Sequence, residues 1–295
     1  MTYEFTKDAP KIPDSKVYTR KAMKELENLL AKFPSDESKF QEFFERNPHF
    51  LPGSRDEFSG VGGSGHQPHL LCLISQPKIF GIINRQPDFM WLASDSVYFS
   101  PVILEIEAPS KNYFKADGTP SRYFTQAVHQ LQEWQTILSR PENVLKFYED
   151  FSIPQVLRDI TFRPQYALVY GRSNEYKNDK LLKQKRGNLL SQNQIMLSYD
   201  RISPNYLVNP LICCNVKNGK YYAKYVSPIF QIGPYEDHLL DIYDLDKAIK
   251  RTKGITSERK KFILQKLPFC LDFYQKEKDG VKVKIKNGND FQMEE

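Results

Sequence analysis

Three acidic residues occur at a spacing that could carry metal-assisted chemistry on a phosphate ester. Asp88 opens an apolar stretch, Pro87-Asp88-Phe89-Met90-Trp91-Leu92, and Glu105 and Glu107 lie two residues apart in Val102-Ile103-Leu104-Glu105-Ile106-Glu107. Side chains alternate faces along a strand, so Glu105 and Glu107 share one side while Leu104 and Ile106 share the other. With Asp88 on a neighbouring strand, three carboxylates converge on one small patch. Like charges on an apolar sheet are costly unless a cation or basic groups neutralise them. Hard oxygen ligands of this kind suit Mg²⁺ or Mn²⁺, which can activate water and stabilise charge on a phosphoryl group. The plain alternative is a solvated sheet face, with Glu105 and Glu107 paired to Arg or Lys, since a half-exposed strand alternates anyway. The wider order argues against it: Pro-Asp, then Glu-x-Glu 17 residues on, then a helix carrying Gln126 and Gln130.

Positioning these residues requires a sheet backed by helices. Helical spacing of Ala22, Met23, Leu26, Leu29, Leu30 and Phe33 predicts an amphipathic helix over residues 17–33. Ser35 is suited to cap a second helix with Phe40, Phe43 and Phe44 on one face, and Asn47-Pro48 ends it. Residues 53–65 are glycine-rich but lack Gly-Lys-Ser/Thr, which predicts a loop and not a nucleotide cradle. Strands are expected over 69–74, 78–83, 88–92 and 102–106, then a long helix over 121–138. Its inward stripe would be Phe124, Ala127, Val128, Leu131, Trp134, Ile137 and Leu138. A strand over 166–170, a charged helix over 179–190 and a strand over 195–199 follow. This order predicts an α/β fold, a mixed sheet with helices on both faces. Beyond Pro204, Asn218-Gly219 marks a hairpin between strands at 211–215 and 221–226, followed by charged helical stretches.

Composition sets the wider limits. Hydrophobic residues make up 40% and charged residues 26% of 295, so a full core is available. No apolar run reaches the roughly 18 residues a membrane span needs, and no membrane role is expected. Cys72, Cys213, Cys214 and Cys270 show no paired metal spacing, and reduced thiols fit a cytoplasmic protein. The net charge of +6 gathers in residues 177–186, 247–261 and 276–286, which favours a polyanionic partner.

Six segments in order resemble the PD-(D/E)xK nuclease superfamily, and more closely the Shedu-type antiphage defence nucleases (the DUF4263 domain family). They are Phe43-Phe44-Glu45-Arg46-Asn47-Pro48, Gln86-Pro87-Asp88-Phe89, the stretch from Leu104 to Lys111, the stretch from Ala127 to Trp134, Leu168-Val169-Tyr170-Gly171-Arg172 and Leu197-Ser198-Tyr199-Asp200. The resemblance spans roughly residues 35–205. It implies a restriction-endonuclease-like core there, with residues 1–34 as an N-terminal helical extension and 206–295 as a C-terminal α+β extension. It also implies a metal-dependent DNA endonuclease, with Asp88 and Glu105 as ligands of Mg²⁺ or Mn²⁺ and Gln130 facing the site. The superfamily's usual lysine, two residues after the glutamate, is Glu107 here. Glu107 could be the base or a third ligand, and Lys111 could supply the missing positive charge or be an ordinary loop lysine. The departure keeps open a second reading, a nuclease fold that has lost catalysis and binds nucleic acid or a partner.

Other candidates follow from position and charge. Arg172, just after a core strand, could meet a phosphate or an internal carboxylate. Lys183, Lys185 and Arg186, and Arg259, Lys260 and Lys261, are candidate contacts to the backbone of double-stranded DNA. Glu42 and Glu45 could reach the site but read as surface glutamates. His129 points about 100° from Gln130 around its helix, and His66 and His69 read as loop residues. Two symmetry-related sites would suit cutting of two strands, so a homo-oligomer is expected.

Overall fold

The computed structural model describes residues 4, 9–54, 66–79, 86–204, 212–233, 236–281, 283–286 and 290–293. Most of the glycine-rich loop and of the strand expected over 78–83 lies outside them. Two helices come first, α1 (Ser15–Lys32) and α2 (Glu37–Arg46). Asp14 caps α1 by accepting from the Val17 amide at 3.1 Å. Ser35 does not cap α2; its hydroxyl bonds that of Ser110 at 2.9 Å, and Asp36 takes the N-cap position.

Strands β1 (Cys72–Ser75), β2 (Phe89–Ser94) and β3 (Tyr98–Ile106) follow and form an antiparallel meander. Their residues are almost all buried, as near-continuous apolar strands covered on both faces should be. Pro101 lies inside β3 where its outer partner changes, between β4 (Thr161–Phe162) and β5 (Gln165–Val169). A residue with no amide donor is tolerated best at such a break in the ladder. The chain crosses from β3 to β4 and β5 through α3 (Arg122–Leu138), α4 (Pro141–Asp150) and the short α5 (Gln155–Arg158). Helix α6 (Lys180–Gly187) then leads to β6 (Gln194–Leu197), parallel to β5. Local periodicity did not reveal α4, whose buried residues are only Phe147 and Tyr148.

The sheet continues through the C-terminal hairpin. Strand β7 (Ile212–Lys217) pairs in parallel with β1, and β8 (Lys220–Val226) turns back on it. Asn218 and Gly219, with φ of 52° and 70°, make the turn that Asn-Gly predicts. With β9 (Ile242–Tyr243) the described order is β6-β5-β3-β2-β1-β7-β8-β9, and β4 lies beside β3. Helices α7 (Leu245–Arg251) and α8 (Ser257–Lys278) follow, then the separate hairpin of β10 (Val283–Lys286) and β11 (Asp290–Met293).

Two apolar layers sandwich this sheet. Phe40, Phe43 and Phe44 of α2 and Leu26 of α1 pack on Leu73, Phe89, Trp91, Val102 and Leu104. The opposite face carries Met90, Leu92 and Ile103 under Phe124, Leu131 and Trp134 of α3 and Ile263 of α8. The protein is therefore a mixed α/β structure with helices on both faces of one sheet. All four cysteines are buried free thiols. Among the described residues no helix is long and apolar enough to cross a membrane.

Candidate active site

The alternation of β2 and β3 decides where the acids point. Phe89 is in register with Leu104, so one step outward sets Asp88 opposite Glu105. Both fall on the face that carries Met90 and Ile103, beneath α3. Glu105 is buried, whereas Asp88 is partly open. The Ile106 amide donates to Asp88 Oδ2 at 2.8 Å, and Trp134 Nε1 donates to Glu105 Oε1 at 2.5 Å. Gln130, one turn before Trp134, lies on the same helix face and favours the Glu105 charge. Ser121 starts this helix by accepting from the Phe124 amide at 3.1 Å, which fixes the register of Gln130 and Trp134.

Two carboxyls so placed cannot both ionise freely. Burial pushes Asp88 up to about 7, against the hydrogen bond from the Ile106 amide. Burial, and then the Asp88 charge, hold Glu105 well above the usual carboxylate range, although Trp134 and Gln130 favour its charge. The two carboxyls lie close enough that the Asp88 charge favours a proton on Glu105.

Glu107 lies just past the end of β3, where it forms an ion pair with Lys111. Lys111 also reaches Glu37 in the first turn of α2, at 3.7 Å. Burial works against the Lys111 charge, but the hydrogen bond and field of Glu107, with Glu37, raise its pKa above the ordinary value. It is thus a half-buried, ion-paired lysine and not a freely solvated one. Gly171 allows the Lys111 loop to come close: at φ +55°, a Cβ there would stand 2.8 Å from the Lys111 carbonyl oxygen.

Of the three carboxylates expected on one patch, Asp88 and Glu105 form the close pair, while Glu107, whose charge still acts on Asp88, is ion-paired with Lys111. Among the described residues no three His, Cys, Asp or Glu side chains are grouped as a ready metal site. The Asp88–Glu105 pair is still a donor set that fits a hard divalent cation. Among the described residues the hydrogen-bond partners of these two carboxyls include no basic side chain, and oxygen ligands are what such ions take.

Glu37 escaped the sequence reading. Its signal was present, because it precedes Phe40 and Phe44 by three and seven residues and so shares their sheet-facing stripe. Tyr199 is the other unforeseen group. Its ring packs on Phe40 at 5.0 Å, and its buried hydroxyl, which has no hydrogen-bond partner among the described residues, feels the Glu37, Asp88 and Glu107 charges. Glu42 pairs with Arg46 at 3.5 Å on the outer side of α2. Glu45, in contrast, is buried and not a surface glutamate.

The family described as Shedu protein SduA, C-terminal, matches residues 34–202, more than half of the sequence. The chain belongs to this Shedu family. The matched segment includes Glu37, Asp88, Glu105, Glu107, Lys111, Gln130 and Tyr199, and it ends before β7. A search of curated proteins gave no match.

The candidate DNA contacts separate by environment. Arg172 donates to Asp200 through Nε at 2.7 Å and pairs with it through Nη2 at 2.6 Å, the internal partner that its position left open. Lys185 donates to the Gly118 carbonyl at 2.9 Å. Arg186 lies over the rings of Tyr113 and Tyr176 and donates to the Met196 carbonyl, so it fastens α6 to the sheet. Arg259 is fully buried and pairs with Glu4, which corrects its reading as a phosphate contact. Lys260 reaches back to the Lys250 carbonyl at 2.8 Å. Lys183 and Lys261 are exposed. His129 is exposed beside Glu133, at 3.5 Å, and His69 faces the Tyr221 ring edge-on.

Proposed function

We propose that this Shedu-family chain is a divalent-metal-dependent DNA endonuclease of restriction-endonuclease-like fold, acting in antiphage defence. The observation that supports it most directly is the Asp88–Glu105 pair beneath Trp134, with the Glu107–Lys111 ion pair just past the end of the same strand. Family membership supports the defence setting. In this reading residues 35–205 are the nuclease core and the flanking segments are extensions of it. Asp88 and Glu105 would hold Mg²⁺ or Mn²⁺, whose chemistry when bound is to polarise a phosphoryl oxygen and lower the pKa of water.

The chain's own groups supply orientation and charge. Trp134 donates to Glu105 and so restricts the direction of its free lone pairs, with Gln130 one turn before it on the same helix. Lys111, with its raised pKa, stays an ammonium at neutral pH and stabilises negative charge instead of accepting a proton. Glu107 occupies the superfamily's usual lysine position and becomes free to accept a proton once Lys111 turns to a phosphate. Double-stranded DNA is the proposed substrate, with exposed Lys183 and Lys261 among the backbone contacts. Two chains related by symmetry would bring one site to each strand.

The Glu107–Lys111 ion pair favours a second reading, in which the base position is closed and the fold binds DNA without cutting it. Incubation of supercoiled plasmid with the full chain separates the two. Relaxation or linearisation that needs Mg²⁺ or Mn²⁺ and stops with EDTA is expected. Plasmid retarded in a gel but never cut, in either metal, would select the second reading.

A further inference from the structure

Behind the sheet, on the face opposite the Asp88 carboxyl, Glu45 forms the centre of a second polar group. It is 4% exposed, and its Oε1 accepts from Ser75 Oγ at 2.6 Å, Lys224 Nζ at 2.5 Å and Gln41 Nε2 at 3.4 Å. Each of the uncharged donors leads to the strand end that carries Asp88. Ser75 is in register with Phe89, and the next residue, Gln76, donates its amide to the Asp88 carbonyl at 2.8 Å. Gln41 Nε2 also lies 3.3 Å from Ser75 Oγ and 3.4 Å from that same carbonyl. Lys224 comes from β8, beyond the family-matched segment.

We propose that Lys224 is a positioning residue for the Asp88 carboxyl, acting through Glu45, Ser75 and Gln41. A buried carboxylate without a cation becomes protonated or moves toward water. Protonation weakens, and movement removes, the acceptor that fixes Ser75 at the end of β1 and Gln41 against the Asp88 carbonyl. Displacement of the backbone at Asp88 moves a carboxyl that must sit within about half an ångström of its working place. Hairpin β7–β8 is therefore part of the site's support. The inference rests on the nuclease reading for its kinetic consequence, but its structural consequence can be measured without it.

The Ile106 amide, bonded to Asp88 Oδ2, reports on that position through hydrogen exchange. In the full chain, Lys224→Met should speed exchange at Ile106 and lower kcat about tenfold with KM for DNA unchanged, the size expected for loss of an outer support. Lys224→Arg should preserve both. Two double variants separate positioning from mere stability, since each removes the buried charge. Glu45→Gln with Lys224→Met keeps an acceptor for Ser75 and should restore Ile106 protection. Glu45→Met with Lys224→Met should melt near the parent protein and still exchange fast at Ile106. Equal, parent-like exchange in both folded double variants, or in Lys224→Met alone, would overturn the proposal whether or not the protein cuts DNA. If no DNA is cut but exchange follows the expected pattern, the positioning role stands and the nuclease reading falls.

Discussion

Asp88→Asn and Glu105→Gln should each lower DNA cleavage at least about 1,000-fold while leaving the melting temperature at or above that of the parent protein. The loss corresponds to about 4 kcal/mol of transition-state stabilisation, within what a correctly held metal supplies. The stability half of the expectation comes from the contacts. An asparagine at 88 can still accept from the Ile106 amide and can donate to Glu105. A glutamine at 105 still accepts from Trp134. Each change removes one of two like charges that burial makes costly, so the fold gains or holds while function is lost. Thermal melts and plasmid cleavage on the same preparations test both halves. Cleavage within tenfold of the parent in both variants would remove these residues from the chemistry. A fall in melting temperature that tracks the loss of activity would make them structural.

Arg259→Met should cost about 3–5 kcal/mol of unfolding free energy, the range seen when one partner of a buried pair is removed. The guanidinium is wholly enclosed. Its Nη1 donates to Glu4 Oε2 at 3.0 Å and to the Pro10 carbonyl at 2.8 Å, and its Nη2 donates to the Phe230 carbonyl at 2.9 Å. Methionine matches the volume but leaves Glu4, 3% exposed, without its cation and two carbonyls without their donor. Adding Glu4→Gln should recover part of the loss. Denaturant titration measures this. A cost below about 1 kcal/mol would mean that the segment around Glu4 contributes little to the fold. The salt slope of DNA binding should not change in Arg259→Met, in contrast to Lys261→Glu, which removes an exposed charge.

What the sequence revealed and what it hid follow from the range of each interaction. Asp88 and Glu105 could be placed on one face because strand alternation is local and adjacent strands leave few registers. The α3 stripe was equally legible: Phe124, Ala127, Leu131, Trp134 and Leu138 are the residues it buries. Asn218-Gly219 specified its turn because only residues that tolerate positive φ make it. Partners distant in sequence were not legible. Nothing near Arg259 indicates that Glu4, 255 residues away, neutralises it, and a run of basic residues normally reads as a solvated face. Arg186 was hidden in the same way by Tyr113 and Tyr176. Glu45 resembled any helical glutamate until β8 brought Lys224 to it. Glu107 was placed on the correct side, but its ion pair with Lys111 depends on a loop whose path Gly171 helps to set.

Titration of Mn²⁺ into metal-free protein, followed by calorimetry in the absence of DNA, tests the central claim most directly. The parent chain should bind at a site that requires Asp88 and Glu105, and the Asp88→Asn, Glu105→Gln double variant should lose it. Affinity should rise as pH increases through and beyond about 7, because burial favours the protonated forms of both Asp88 and Glu105, and those protons must leave before a cation enters. Binding of the same stoichiometry and affinity in the double variant, or no binding by the parent chain at pH 8, would contradict the assignment of a metal to this pair.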